Sequence, residues 1–170
     1  MTQQTVTEKD MFLQSFERET AITLKLLRAF PADRADYRPH EKSRSARELA
    51  WIFVSEQGLA TRAIDGTLNF SGGGAPPAAP PSSFPEIIAA FENAVRATQE
   101  KVAQTAEADL NKPGQFPIGP KQLGDFRAMD IVWITLQDQI HHRGQFSVYL
   151  RLVGAKVPSI YGPTADETWM

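Results

Sequence analysis

Apolar residues return every three to four positions in four separate stretches of this chain, each bounded by capping or breaking residues. That pattern restricts the fold more than any other feature, because the period belongs to helices packed on one face. In the first stretch Thr7 and Asp10 form an approximate capping box ahead of Phe12, Phe16, Leu26, Leu27 and Phe30, with Thr23 as a polar member of the stripe. Met11, Leu13, Ile22 and Leu24 widen the apolar face, and Pro31 stops the helix. The second runs from the Ser45–Glu48 capping box to about Asp65, with Gly66 as its stop and Leu49, Ile52, Glu56, Leu59 and Ala63 as its stripe. The third starts at Ser83-Phe84-Pro85-Glu86 and carries Phe84, Ile87, Ile88, Phe91, Val95 and Val102, fading near Ala108. The fourth starts near Asp125 and ends near Val153, with Gly154 at its C-terminal cap.

The segments between them do not compete with this reading. Residues 67–82 hold three consecutive glycines and four prolines and are expected to be a surface loop. The GGG is no phosphate loop, since no Gly-Lys-Ser/Thr follows it. Residues 109–124, with Pro113, Pro117 and Pro120, are expected to be irregular. The tail after Gly154 is expected to pack along the helices. There is no strand alternation of useful length and no internal repeat. Four helices joined by loops of moderate length predict an all-α four-helix bundle, with residues 1–170 as one domain.

Composition removes several function classes. A formal charge of −2 without a basic block gives no footprint for nucleic acid. No apolar run is long enough to cross a bilayer. The polar start, MTQQTVTEKD, lacks the pattern of a signal peptide, so a cytoplasmic protein is expected. Zero cysteines exclude a disulfide framework, thiolate ligands and a cysteine nucleophile. There are three histidines, His40, His141 and His142. His141 and His142 diverge by about 100° on a helix, so a site built on three imidazoles is close to excluded.

On the last helix Asp138 and His142 stand four residues apart and share a stripe with Ile131, Ile134, Gln145, Tyr149 and Leu152. An acid and an imidazole on a core-facing stripe are costly unless paired or ligated. Glu56 is a second acid on an inward-looking stripe. His40, in a polar connection, is expected to be solvated or to line the mouth of a pocket. The far side of the last helix carries Trp133, Leu136 and Ile140, then Gly144 and Ser147. Apolar surface on two sides of one helix implies a central position or a homodimer interface, and a homodimer is the expectation.

ARELAW at 46–51, IHHRGQFSVYLRLVG at 140–154, VPSIYGPTADE at 157–167 and YRPHEKS at 37–43 together resemble the DinB family, in order and along nearly the whole chain. The resemblance implies an up-down-down-up four-helix bundle, often dimeric. It also implies a metal-dependent hydrolase or a thiol transferase, some relatives using low-molecular-weight thiols such as bacillithiol or mycothiol. The family's zinc or nickel sits on three histidines, one from the second helix and two, four apart, from the fourth. Carried onto this chain, those places fall on Ile52 (or Trp51, with a shift of one), Asp138 and His142. Three readings follow. Asp138 and His142 form a buried hydrogen-bonded pair in an inactive bundle, with Ile52 filling the gap, and the protein binds small molecules or serves as a dimeric scaffold. Or Asp138, His142 and Glu56 hold zinc, nickel, iron or manganese. Or Asp138 orients His142 as a general base with no ion at all.

Overall fold

The computed structural model describes residues 6–70 and 78–169. In chain order it has α1 (Glu8–Ala29), α2 (Ala46–Ile64), α3 (Phe84–Gln104), a single turn α4 (Glu107–Leu110), the antiparallel hairpin β1 (Pro113–Gly119) and β2 (Gln122–Arg127), and α5 (Ala128–Leu152). The caps anticipated from sequence close α1 and α2: Thr7 with Asp10, and Ser45 with Glu48, each form a reciprocal capping box. Gly66 and Gly154 follow α2 and α5 with φ of 65° and 77°, the left-handed conformation that favours glycine. At α3 the start is right, but Ser83 caps with its backbone alone.

The expectation of an irregular stretch at 109–124 is corrected. Residues 113–127 pair as a hairpin, with a register shift between Pro117 and Gly119. Its alternation is faint in the sequence because this small sheet lies mostly on the surface. No face of it is fully buried, so nothing requires a clean apolar stripe. Phe116 packs edge-on against Phe126 and Phe70. The hairpin also delays the last helix to Ala128 rather than Asp125. Of the loop expected at 67–82, the glycines Gly72 to Gly74 lie outside the described residues, and the described flanks are irregular.

Ring contacts give the helix directions. Phe12 meets Trp133 near the start of α5, and Phe30 meets Phe146 further along, so α1 and α5 run parallel. Phe53 meets Phe146, and Gln57 bonds Gln139, so α2 runs against α5. Phe53 meets Phe91, and Asp65 pairs with Lys101, so α3 runs with α2. The order is up-down-down-up, with α1 and α2 each packed on both α3 and α5.

Two apolar clusters fill the bundle. The upper one is aromatic, with Phe146 in ring contact with Phe30, Phe53 and Phe84, and Phe30 also against Phe84. The lower one holds Phe12, Phe16, Val102, Met129, Val132 and Leu136. Between them lies a belt of buried polar groups. Gln57 Nε2 donates to Gln139 Oε1 (2.9 Å), Gln139 Nε2 donates to Thr23 Oγ1 (3.1 Å), and Thr23 Oγ1 donates to the Glu19 carbonyl (3.0 Å). This chain of bonds ties α2 to α5 and α5 to α1. A one-residue slip of α5 against α1 or α2 would break the link to that helix, which fixes register more sharply than apolar contact does.

The seam of α5 therefore runs through Val132, Leu136, Gln139, Arg143, Phe146 and Leu150, all buried. This corrects the stripe drawn through Asp138 and His142, which lies along one margin of the seam; Leu152 on it is exposed. Leu136, placed on the far side from sequence, belongs to the lower cluster, with Trp133 and Ile140 packed against it. The apolar surface that suggested a homodimer is thus largely covered within the chain. On α2 the buried line is Ala46, Ala50, Phe53, Gln57 and Ala60, with Glu56 beside it and Ile52 half-buried against the upper cluster. No helix among the described residues is long and apolar enough to cross a membrane.

Candidate metal centre

Where the polar belt reaches the α2–α5 edge, Glu56 from α2 meets Asp138 and His142 from α5. Antiparallel packing brings mid-α2 beside mid-α5, and the i, i+4 spacing stacks the two α5 groups one turn apart. His142 Nε2 lies 3.5 Å from Asp138 Oδ2 and 4.0 Å from Glu56 Oε1. One donor atom from each residue falls within 4.8 Å of the other two, the one such group among the described residues. Glu56 forms the floor and His142 the wall, with side-chain exposures of 6% and 14%, while Asp138 at 51% stands at the mouth. The expectation of a wholly buried Asp138–His142 pair sealed by Ile52 is corrected on this point. The pair is open on one side, and the α2 group facing it is Glu56.

Both Glu56 oxygens are hidden from water and accept no hydrogen bond, and the carboxyl's one hydrogen-bonding neighbour is Asp138, to which it can donate when protonated. Burial, and then the Asp138 carboxylate nearby, push its carboxyl up to about 10. Without a cation Glu56 is therefore protonated at neutral pH.

His142 is held from behind. Its Nδ1 lies 3.0 Å from Gln145 Oε1, and Gln145 Nε2 lies 3.0 Å from His141 Nε2. An acceptor at Nδ1 keeps the proton there, which turns the Nε2 lone pair toward the two carboxylates. That is how ligating histidines are commonly oriented, through a hydrogen bond on the far nitrogen. Sequence reasoning did not assign Gln145 this role, although its position three residues after His142 was a usable signal. His40 is exposed, with Nδ1 accepting from the Lys42 backbone, and is not in the group.

The donor set fits a divalent cation. A buried carboxyl that accepts no hydrogen bond, an imidazole lone pair aimed at it and a carboxylate at the mouth offer three donor atoms that a cation would hold once it displaces the Glu56 proton. Donors bound to one first-row ion at ~2.0–2.2 Å stand roughly 3–4 Å apart, near the spacings found here.

A second cluster went unassigned from sequence. Arg143, next to His142 in the chain, points the other way into the bundle and is buried. Its Nη1 donates to the Glu19 carbonyl (3.0 Å), and its Nη2 donates to Glu19 Oε2 (2.7 Å) and to the Tyr161 hydroxyl. Tyr161 in turn donates to Glu19 Oε2 (2.6 Å), which anchors the tail. Ion pairs of Asp166 with Arg151 and of Glu167 with Lys25 hold the tail further along.

Fold and site together define an up-down-down-up helical bundle with a carboxylate–imidazole group between its second and last long helices. The chain belongs to the DinB family, whose model matches residues 1–169. It is similar to uncharacterized protein YrdA of Bacillus subtilis strain 168, 29% identical over 159 residues, covering 93% of this chain and 90% of that one. Two solved structures share the fold. A DinB-like protein from Bacillus cereus has a TM-score of 0.70 at 24% identity, over 88% of this chain and 95% of its own. The DinB-like protein YjoA from Bacillus subtilis has a TM-score of 0.68 at 19% identity, over 94% and 99%.

Proposed function

We propose that Glu56, Asp138 and His142 form a divalent-metal centre, and that the protein is a metal-dependent hydrolase or thiol transferase acting on a small molecule. The observation that carries this reading is Glu56, a buried acid with no donor, facing a second carboxylate and an oriented imidazole. Two oxygen donors and one nitrogen donor favour manganese, iron or zinc. Such an ion supplies Lewis acidity and makes a water or thiol nucleophilic near neutral pH.

The chain's own groups have distinct tasks. Glu56 surrenders its proton as the cation takes its place. Gln145 fixes the His142 ring. Asp138, at the mouth, is the group placed to bind or to accept a proton from an arriving nucleophile.

Dialysis of chelator-free protein against manganese or zinc, followed by elemental analysis, tests this. One ion per chain is expected in the wild type, with loss in His142→Ala and in Glu56→Gln at unchanged far-ultraviolet dichroism. A wild type that stays free of metal sinks the reading. The second reading, an inactive bundle that binds small molecules or acts as a scaffold, draws on the same carboxyl: a protonated Glu56 is neutral and tolerable in the belt without an ion.

A homodimer in the cytoplasm completes the proposal. It is supported by Val148 and Leu152, exposed on α5, and by Gly144, where a Cβ would meet nothing. Gel filtration that returned a monomer at micromolar concentration would remove it.

A further inference from the structure

A groove of about 900 Å³ lies above the carboxylate–imidazole group, between the connection entering α2 and the upper half of α5. Its floor is Leu49 and Tyr149, and its rim carries Arg38, Lys42 and Arg44. Arg38 is already engaged, donating to the Ser43 carbonyl (2.7 Å) and to Glu48 Oε2 (3.0 Å). Glu48, the one acid in the lining, is also taken by the Ser45 backbone N–H. The Lys42 ammonium and the Arg44 guanidinium make no ion pair or side-chain hydrogen bond among the described residues. The groove thus keeps two uncommitted cations beside an apolar floor.

The groove is joined to the candidate centre by Gln145, which lines it and also holds His142 Nδ1. Tyr149 is seven residues beyond His142 on one helix, about 10 Å along the axis. A bare ion would leave most of this volume empty, which suits a larger molecule with an apolar part against Leu49.

We propose that this groove seats the anionic group, a carboxylate or a phosphate, of the small molecule whose reacting bond is presented to Glu56, Asp138 and His142, with Lys42 and Arg44 as its charged contacts. The link to a reacting bond rests on the metal-centre reading; the anion site does not.

Inorganic phosphate and succinate, titrated separately into the metal-free full chain and followed by backbone amide shifts, test the site. Saturable shifts are expected at Lys42, Arg44, Gln145 and Tyr149, and whichever anion saturates at lower concentration names the source. Lys42→Ala/Arg44→Ala is expected to weaken binding by about tenfold or more, as for lost charge-assisted hydrogen bonds. Glu56→Gln is expected to leave it unchanged. No saturation with either anion, or a double variant that titrates like wild type, overturns the site. Manganese then tests the link: phosphorus relaxation of bound phosphate should rise in wild type and not in Glu56→Gln. Manganese that binds without changing that relaxation overturns the link. Manganese that fails to bind overturns the metal centre and, with the shifts intact, leaves the anion site supported.

Discussion

Glu19 on α1 and Glu56 on α2 sit in the same polar belt and are nearly equally hidden, at 2% and 5% exposure, yet their surroundings are opposite. Glu19 accepts from Arg143, from Tyr161 and from Arg18 Nε (3.0 Å). Burial would raise its carboxyl, but those hydrogen bonds outweigh it and hold the group below the usual carboxylate range. Glu56 accepts nothing and faces Asp138, so burial and repulsion act in one direction and raise it. The first acid is a finished structural ion pair. The second has the surroundings of a ligand.

The sharpest way to break this comparison is to remove the guanidinium. Arg143→Ala takes the one buried cation from Glu19 and leaves it only Tyr161 and the exposed Arg18, and a loss of about 3–5 kcal/mol is expected in urea unfolding. A loss below about 1 kcal/mol would show that Glu19 reaches water and is not the closed counterpart of Glu56.

Next in size is the dependence on pH, where the two acids have opposite signs. The Glu19 carboxyl is lowered in the fold, so its contribution is present above the unfolded value of about 4.3 and is lost as pH falls through the folded value. Glu56 is raised to about 10, so its contribution is intact below about 4.3 and is lost as pH climbs toward 10. Metal-free wild type should therefore lose stability from neutral to alkaline pH, and Glu56→Gln should flatten that limb while leaving the acid limb alone. Parallel alkaline limbs in the two proteins would show that Glu56 is already ionised in the fold.

Gln145→Ala sharpens the comparison at the imidazole. Loss of a far-nitrogen partner typically lowers metal affinity by about 10–100-fold, and that range is expected in equilibrium dialysis. The smallest effect expected is on the fold itself. Glu56→Gln replaces a protonated acid by a neutral amide of the same shape, so below about pH 4.3 it should move metal-free stability by less than about 1 kcal/mol, whereas at neutral pH, where only the unfolded Glu56 ionises, the variant should be the more stable protein. A large loss would make Glu56 a structural group like Glu19.

What could be read from the sequence follows the same physics. Helix ends marked by Thr7, Ser45, Gly66 and Gly154 were legible because caps are local chemistry. The four-helix order followed from apolar period and was given direction by the DinB resemblance. The hairpin was not legible: Pro113 and Pro117 read as breakers, and a sheet with no buried face shows no strong alternation.

The centring of α5 was off by one residue, about 100° on the wheel. Val132, Leu136, Gln139, Arg143, Phe146 and Leu150 alternate steps of four and three, as do Phe12, Phe16, Glu19, Thr23, Leu26 and Phe30 on α1. Two seams with polar residues at matching heights were a sign of the belt. Polar side chains on an apolar stripe read as its edge, which masks Gln139, Arg143 and Glu19 as members of the belt. Asp138, His142 and Glu56 could be singled out as inward-leaning groups, but only coordinates bring α2 and α5 to the distances that make them one cluster.

The most direct test of the central claim is the number of protons released when manganese or zinc binds at neutral pH, measured by calorimetry in buffers of different ionisation enthalpy. A carboxyl raised to about 10 by burial and by Asp138 is protonated before binding and ionised after it. Release of close to one proton per ion in wild type, absent in Glu56→Gln, is the expected result. Binding with the same proton release in both proteins, or no binding at all, would contradict the account.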